Sequence, residues 1–445
     1  MSKGGDRKQP SRARRTPAAF GRMPHGLRPL RARDPHEHRA ATTLELFYDL
    51  TIVVAFSVSG GQFAHSLAAG HVLNGVAAFA FTVFAVTWAW ASFTTFASGF
   101  DNDDVGMRLA TLAQMAGIVV LTLGIPDLYH GFDEWHLDNR ILVYGYVTMR
   151  ASMMYLWWRA AKDNPERRPV MKHYIRWVGA AQVGWVALTF VHAGWAVTGP
   201  ALLALYGMEV YAVLTAQRSN GSPWNVHHLV ERYGLLTIIS LGEVVLGTTV
   251  AVQAVIESQH EWNTQSVLLL AAGITMAFGM WWTYFALPYV ETLSLHPERV
   301  FGFAQGHLAM FGTIAGVGAG LHAVAYFIEG ETELSQGATM LTVAVPMGLF
   351  IALVYGIAHY LMPGRDRFHW ILGIATVATL AASVALSYAG VSLGWSLIVL
   401  MLAPWINVVG YETAGHGHLD RVLERMRGEA AASAGGGSGY TRGHG

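Results

Sequence analysis

The sequence predicts an all-α, polytopic membrane protein with about twelve transmembrane helices, arranged as two parallel six-helix repeats. Three observations predict this fold class: the composition, the distribution of charge between apolar segments, and residue patterns that recur in the two halves. Of the 445 residues, 53% are hydrophobic and only 13% are charged. Because soluble domains carry about 25% charged residues, the composition indicates a membrane protein.

Twelve segments are long and apolar enough to cross a bilayer, which requires about 20 such residues. They lie at 43–67, 74–97, 106–125, 139–161, 175–193, 199–217, 229–252, 266–289, 299–327, 338–361, 369–388 and 394–411. Backbone groups have no water to bond inside a bilayer, so each segment is predicted to be helical.

Basic residues alternate between the loops and predict the orientation. One set of loops contains Arg108, Arg159, Lys162, Arg167, Arg168, Lys172, Arg176, Arg218, Arg232, Arg299, Arg365 and Arg367. The loops between them contain only Arg140, at a helix edge. Because Lys and Arg are enriched in cytoplasmic loops, we expect both termini in the cytoplasm.

The chain divides into four parts. Residues 1–41 contain 11 of the 29 Lys and Arg, which predicts a disordered cytoplasmic tail attracted to anionic lipid rather than to nucleic acid. Residues 42–217 and 218–412 form the two predicted repeats, and 413–445 is predicted to be a flexible cytoplasmic tail. The chain contains no Cys, which excludes disulfides, a catalytic thiol and Cys-ligated metals. No metal site or cofactor is predicted.

Matching residues at nearly constant offsets predict the internal duplication. Glu45 and Thr51 match Glu231 and Thr237 at an offset of 186 residues. At an offset of 191, the matches are Trp90 with Trp281, Arg108 with Arg299, and Gln114 with Gln305. Arg108 and Arg299 therefore stand at the entrances of corresponding helices. Parallel repeats of this kind occur in transporters, with a shared site near their interface; the alternative is the duplication of a scaffold without transport function.

Ionisable residues inside the predicted spans are the candidate site, because such groups are costly in lipid and mark function. The candidates for binding a substrate or ion are Glu45, Asp49, Arg150, Glu209, Glu231 and Glu243. Glu45 and Asp49 lie four residues apart on one helix face; the alternative is a polar helix entrance paired with Arg39 or Arg108. We predict that Arg150 pairs with Glu209 or Glu243, for which the alternative is a purely structural ion pair.

Two strings resemble motifs of the bacterial low temperature requirement A protein family. The first is TTLELFYDLTIVVAFSVSGGQFAHSL, and the second is HHLVERYGLLTIISLGEVVLG. The segments WASFTTFASGFDNDDVGMRLATL and MWWTYF are similar as well, so the resemblance covers roughly residues 38–412. It implies a polytopic protein of the bacterial inner membrane, linked by name to growth in the cold, and it implies no substrate or reaction.

A smaller likeness is to lysosomal and bacterial potassium channels, which carry an R-x3-F-S-D motif in each repeat. Phe47 and Asp49 match this motif, whereas Tyr48 replaces the Ser and Thr43 stands at the Arg position. The second half has Arg232-Tyr233-Gly234 and no Asp. These departures favour the first resemblance.

The leading interpretation is a transporter or permease-like protein that binds an unidentified small molecule or ion between its halves. One carboxylate would exchange a proton or cation while Arg150 holds the opposite charge. The alternatives are a membrane-embedded enzyme or sensor, a cation channel-like protein, and a structural factor for cold adaptation. The enzyme alternative is the less favoured, since the sequence contains no known catalytic spacing.

Overall fold

A computed structural model describes residues 26–34, 39–134, 139–191, 193–217, 223–363 and 367–436, and every regular element in these ranges is helical. The first half contains α1 (Thr43–Ala68), α2 (Val72–Phe100), α3 (Val105–Leu123), α4 (Ile125–Asp133), α5 (Arg140–Asp163), α6 (Arg168–Leu188) and α7 (Trp195–Gln217). The second half contains α8 (Val226–Gln259), α9 (Thr264–Phe285), α10 (Tyr289–Leu295), α11 (Val300–Glu329), α12 (Gln336–Leu361), α13 (Arg367–Tyr388), α14 (Leu393–Leu400), α15 (Leu402–Gly410) and α16 (His416–Gly436).

The prediction of a multi-pass helical membrane protein is confirmed. Eleven of the twelve predicted spans each overlap one long helix, and the twelfth, 394–411, corresponds to α14 and α15 together. In the described part of the chain ten helical stretches are long and apolar enough to cross a membrane. The two predicted spans outside these ten are α5 and α6, whose apolar stretches are interrupted by basic residues such as Arg150 and Lys172. The number twelve therefore stays a prediction.

Helices pack in the same order within each half. In the first half α1 packs on α2 and α3, α3 on α5, α5 on α6, and α6 on α7. In the second half α8 packs on α9 and α11, α11 on α12, α12 on α13, and α13 on α14 and α15. The halves meet where α1 contacts α8 and α11, and where α2 contacts α11.

Glycines allow close crossings between helices, because they carry no side chain beyond a hydrogen atom. The sequence contains glycines at 312, 316 and 320 in α11, a spacing typical of packed membrane helices. A Cβ atom on Gly320 would lie 2.3 Å from the Thr342 carbonyl oxygen of α12, and one on Gly312 would lie 3.0 Å from Val83 of α2. These glycines therefore bring α11 against two different neighbours.

Both described ends of the chain lie at the end of the bundle where α1 begins, which we name the terminal end. Residues 26–34, which we name the N-terminal segment, are extended and cross this end. The backbone N–H of Leu30 donates to the Asp163 carboxylate at 2.8 Å, and that of Ala32 donates to the Asn164 Oδ1 at 2.8 Å. Leu30 is fully buried. These nine residues are thus ordered within the predicted tail 1–41, whose residues 1–25 and 35–38 lie outside the described ranges.

Helix α16 lies within 413–445, where the sequence predicted a flexible tail. The helix has an apolar side that carries Leu423 and Met426, both buried against the bundle. Burial of this side stabilises the helix, while the Gly-rich composition on which the tail prediction rested begins only near Gly428 and is densest after 434. Residues 437–445 lie outside the described ranges.

Candidate functional site

The first turn of α1 positions the first candidate carboxylate. Thr42 caps the helix by accepting a hydrogen bond from the Glu45 backbone N–H at 3.2 Å. In return Glu45 Oε2 accepts from the Thr42 backbone N–H at 2.7 Å and from the Thr42 hydroxyl at 2.9 Å. This capping box satisfies backbone donors that a helix start leaves open. One oxygen of Glu45 is therefore committed to the helix start, and the other is turned inward.

The inward oxygen of Glu45 is surrounded by three basic side chains. Its Oε1 lies 3.1 Å from Arg39 Nη2, 3.2 Å from Arg232 Nη1 and 3.2 Å from His228 Nε2. Arg39 also forms an ion pair with Asp101, at the end of α2. The helix-entrance alternative raised for Glu45 and Asp49 named Arg39 or Arg108 as the partner, and the structure contains the pair of Glu45 with Arg39.

Asp49 lies one turn further along α1 and is fully buried. Its Oδ1 accepts hydrogen bonds from Arg232 Nη2 at 2.5 Å and from Trp90 Nε1 at 2.7 Å. Its Oδ2 has no hydrogen-bond partner among the described residues. We name Arg39, Glu45, Asp49, Asp101, His228 and Arg232 the charge cluster.

The spacing of these contacts gives the relative direction of two helices. Glu45 pairs with His228, and four residues later Asp49 pairs with Arg232. Since both partners advance by four residues in the same sense, α1 and α8 run parallel where they touch. The cluster therefore joins the first helix of the first half to the first helix of the second.

The cluster combines three carboxylates with two guanidinium groups and one imidazole. His228 is fully buried, and its Nδ1 has no hydrogen-bond partner among the described residues. At the rim of the cluster, outside the helical spans, burial raises the pKa of Asp101, while the adjacent Arg39 opposes that change.

A second buried network lies within the first half. Arg150 Nη2 is 2.7 Å from Glu209 Oε2, and both side chains are almost completely buried. The same carboxylate accepts from the Tyr146 hydroxyl at 2.7 Å, from Trp88 Nε1 at 3.0 Å and from Gln182 Nε2 at 2.6 Å. The structure thus contains one of the two predicted pairs, Arg150 with Glu209, and it surrounds the carboxylate with donors.

A cavity of about 360 Å³ lies between the halves, and Arg150 lines it. Trp88 and Trp157 of the first half face Tyr233 and Phe303 of the second across this cavity. Trp90, which donates to Asp49, packs edge-on against Tyr233 with ring centroids 4.8 Å apart. The network of Arg150 therefore lines this cavity, and the charge cluster reaches it through Trp90 and Tyr233.

The remaining candidates lie outside these networks. Glu231 is exposed and accepts a hydrogen bond from the Ala41 backbone N–H at 3.3 Å. Glu243 is buried, is hydrogen-bonded to Ser57 of α1, and forms no ion pair with Arg150. Arg108 pairs with Asp103, and Arg299 donates to the Leu361 carbonyl at 2.6 Å, each at the entrance of its helix.

Sequence reasoning missed Arg232 and His228 as site residues. His228 lies just before the predicted seventh span, 229–252, and Arg232, at the start of that span, was counted with the basic loop residues, whereas α8 begins at Val226 and buries both completely. A usable signal existed, since a basic pair four residues apart stands in α8 where α1 has an acidic pair with the same spacing. Among the described residues, no group of three or more His, Asp or Glu side chains is arranged to hold a metal ion.

Comparisons with known proteins agree with these observations. The family model for the bacterial low temperature requirement A protein (LtrA) matches residues 40–404. A curated relative, the uncharacterized protein RA0937 of Rhizobium meliloti (strain 1021), is 25% identical over 284 residues. That alignment covers 61% of this chain and 66% of the relative, slightly less than two thirds of its length. No solved structure matches this chain at a significant level.

Proposed function

This chain belongs to the bacterial low temperature requirement A protein family, and we propose that it is a transporter or permease-like membrane protein that binds a solute or ion between its two halves. The observation that carries this proposal is the fully buried ion pair between Asp49 of α1 and Arg232 of α8. A buried ion pair is weak evidence for stability, because desolvation offsets the attraction between the charges. Inside a membrane such a pair marks a pathway for an ion, a proton or a substrate.

The arrangement of the halves supports this proposal. We propose that α1–α7 and α8–α15 are parallel six-helix repeats with twelve spans in total, including α5 and α6. The parallel contact of α1 with α8, the shared packing order and the matched residues of the two halves support this arrangement. In transporters with parallel repeats the binding site lies near the repeat interface, which is where the charge cluster and the cavity lie.

The chemistry of the cluster suggests a coupling step. A proton or cation bound at Asp49 would weaken its bond to Arg232, and that bond joins the two halves. The cavity offers the Arg150 guanidinium for an anionic group and aromatic rings for an apolar one. Its volume of about 360 Å³ falls within the usual range for small-molecule sites, about 300–1,000 Å³. The proposed function is therefore proton- or cation-coupled movement of a small solute.

We propose that the protein is inserted in the bacterial inner membrane with both termini in the cytoplasm. The Lys and Arg residues near the terminal end support this orientation, because basic loops stay on the cytoplasmic side. The cluster, the N-terminal segment and α16 would then face the cytoplasm.

Charge movement on a solid-supported membrane tests the proposal without knowledge of the solute. Proteoliposomes that contain the wild-type protein are exposed to sudden changes of H⁺, Na⁺ or K⁺ concentration, and the transient current is recorded. We expect one of these ions to give a charge displacement, and Asp49→Asn to reduce it by tenfold or more, on the order of 1.4 kcal/mol in ion binding.

Controls separate function from folding. Asp49→Asn removes one of the two carboxylates that contact Arg232, and breaking a buried ion pair costs roughly 3–5 kcal/mol, so the double variant Asp49→Asn/Arg232→Gln is measured beside it. We expect the double variant to elute as a folded protein and to give no displacement, while Glu166→Gln, a surface carboxylate, behaves as wild type. A wild-type signal equal to that of empty liposomes for all three ions, or a full signal in the double variant, would contradict the proposal.

A further inference from the structure

A second large cavity, of about 670 Å³, lies at the terminal end of the bundle. It is enclosed by the last turns of α12, the first turns of α13 and the side of α16. None of its lining residues belongs to the lining of the cavity between the halves. Its role is therefore separate from the proposed transport site.

One side of this cavity is basic. Arg421 and Arg425 stand four residues apart on α16, so they share a helix face, and both line the cavity. His359 of α12 and His369 of α13 lie opposite them. None of the described lining residues is Asp or Glu. Arg425 Nη2 has only a weak contact of 3.4 Å with the Pro363 carbonyl, and Arg421 forms no ion pair with a described carboxylate. The two guanidinium groups are thus available to an anion.

The other side is apolar and continues along the outside of a membrane helix. Trp370 lines the cavity and is 72% exposed. Ile374, one turn further along the same face of α13, is 67% exposed. Because α13 is long and apolar enough to cross a membrane, this exposed stripe faces lipid. A ligand at the basic side would therefore meet hydrocarbon directly below it.

From this arrangement we infer that the cavity binds the phosphate headgroup of an anionic membrane lipid, with its acyl chains on the outer face of α13. Basic pockets at the membrane surface recognise such headgroups, and guanidinium groups bind phosphate in a bidentate manner. Helix α16 has the corresponding amphipathic form, with Leu423 and Met426 buried and its arginines exposed. Inorganic phosphate would use the basic side alone and would leave the Trp370 stripe without a role.

Native mass spectrometry of the full-length protein in a mild detergent tests this inference. The protein is titrated with dioctanoyl phosphatidylglycerol, with dioctanoyl phosphatidylcholine and with inorganic phosphate. We expect one phosphatidylglycerol to bind more tightly than phosphatidylcholine by tenfold or more, since each basic side chain near a membrane surface contributes about 1 kcal/mol. Phosphate alone is expected to bind far more weakly than phosphatidylglycerol.

Charge variants identify the site. We expect Arg421→Gln/Arg425→Gln to lower phosphatidylglycerol affinity by tenfold or more. The matched control is Arg427→Gln, which removes a charge from α16 without touching the cavity lining. It is expected to stay within about twofold of wild type.

A substitution that changes no charge keeps the inference testable if the double arginine variant fails to fold. A Cβ atom on Gly373 would meet no atom within 4 Å, although Gly373 lines the cavity. Gly373→Leu therefore places an apolar side chain in the cavity and should reduce lipid selectivity without any change of charge. Equal affinity for the two lipids in wild type, equal loss in Arg427→Gln, or unchanged selectivity in Gly373→Leu would overturn the inference. Phosphate that binds as tightly as phosphatidylglycerol would reassign the site to a free anion.

Discussion

Asp104 shows how one buried carboxylate orders the terminal end of this protein. It caps α3 by accepting from the Met107 backbone N–H at 2.8 Å, and it accepts from the Arg28 backbone N–H at 2.8 Å. Arg159 of α5 pairs with it at 2.5 Å. Burial acts to raise the pKa of Asp104, but these hydrogen bonds outweigh burial and lower it to about 2. Three separate parts of the chain are joined at this residue.

A pH-dependent stability difference follows from that lowered pKa. Because the pKa is below the ordinary value of 3.8 in the folded protein, the stabilisation is present above pH 3.8 and is lost as the pH falls through about 2. We expect Asp104→Asn to lower stability by roughly 1–3 kcal/mol at pH 6, and this difference to shrink toward pH 2. Melting curves from tryptophan fluorescence, recorded in detergent at several pH values, measure it.

The neighbouring residue Asp103 supplies the control. It is exposed and pairs with Arg108, and exposed pairs contribute less than about 1 kcal/mol. Its backbone has a φ of 52°, a conformation that Asn tolerates. Asp103→Asn should therefore melt close to wild type. Equal melting of the two variants at pH 6, or a difference that does not shrink between pH 6 and pH 2, would contradict the assignment.

At the scale of single residues, the sequence predicted both members of the Arg150–Glu209 pair but only the acidic member of the Asp49–Arg232 pair. Glu45, Asp49, Arg150 and Glu209 were found because a charge within an apolar helix is conspicuous. Arg232 was missed because it stands near a helix start, where basic residues normally face water and headgroups. Only the contact between α1 and α8 shows that this helix start is inside the protein.

One close contact between two helices is the crossing of α8 and α11. A Cβ atom on Gly318 would lie 2.5 Å from the Glu243 carbonyl oxygen, and one on Gly247 would lie 2.5 Å from the Gly318 carbonyl oxygen. In both cases the added Cβ atom would clash with a backbone oxygen, and no rotamer change can relieve such a clash. The two glycines therefore set the separation of α8 and α11, and with it the position of Glu243.

Gly318→Ala is expected to push these helices apart. Overpacking of a tight contact costs roughly 1–3 kcal/mol, so the variant should melt at a lower temperature than wild type in detergent. Gly242→Ala on α8 is the matched control, because its Cβ would meet no atom within 4 Å. An alanine there favours the helix, so that variant should melt at or slightly above the wild-type temperature. Similar melting of both variants would show that the crossing is not the limiting contact.

At the scale of elements, hydropathy predicted helices well and helix ends poorly. Each predicted span is helical over most of its length, because only length and apolarity are needed for that prediction. The short helix α10 and the interfacial helix α16 were not predicted. Both depend on burial of a few apolar residues, such as Leu293 and Met426, against the rest of the bundle. Windowed hydropathy does not contain that tertiary information.

At the scale of the whole molecule, the charge cluster depends on the parallel course of α1 and α8. An inverted repeat would place the start of α8 at the opposite end from the start of α1, and Asp49 would not reach Arg232. With parallel halves, complementary pairs on equivalent helices meet at the interface, as the pairs of α1 and α8 do. This relation requires an odd number of membrane crossings between α1 and α8, which holds if α5 and α6 both span or if neither does.

Labelling of single cysteines distinguishes those two topologies, and the chain is suited to it because it contains no Cys. Glu166→Cys lies between α5 and α6, and Gly194→Cys lies before α7, where an added Cβ meets no atom within 4 Å. If all twelve predicted helices cross, an impermeant maleimide added to intact cells should label Gly194→Cys and spare Glu166→Cys until the cells are opened. Leu73→Cys, an 81% exposed position at the start of α2, is the control expected to label from outside in either topology. A twelve-span topology is wrong if Glu166→Cys is labelled in intact cells together with Leu73→Cys, because α5 and α6 would then both stay on the outer side of the membrane.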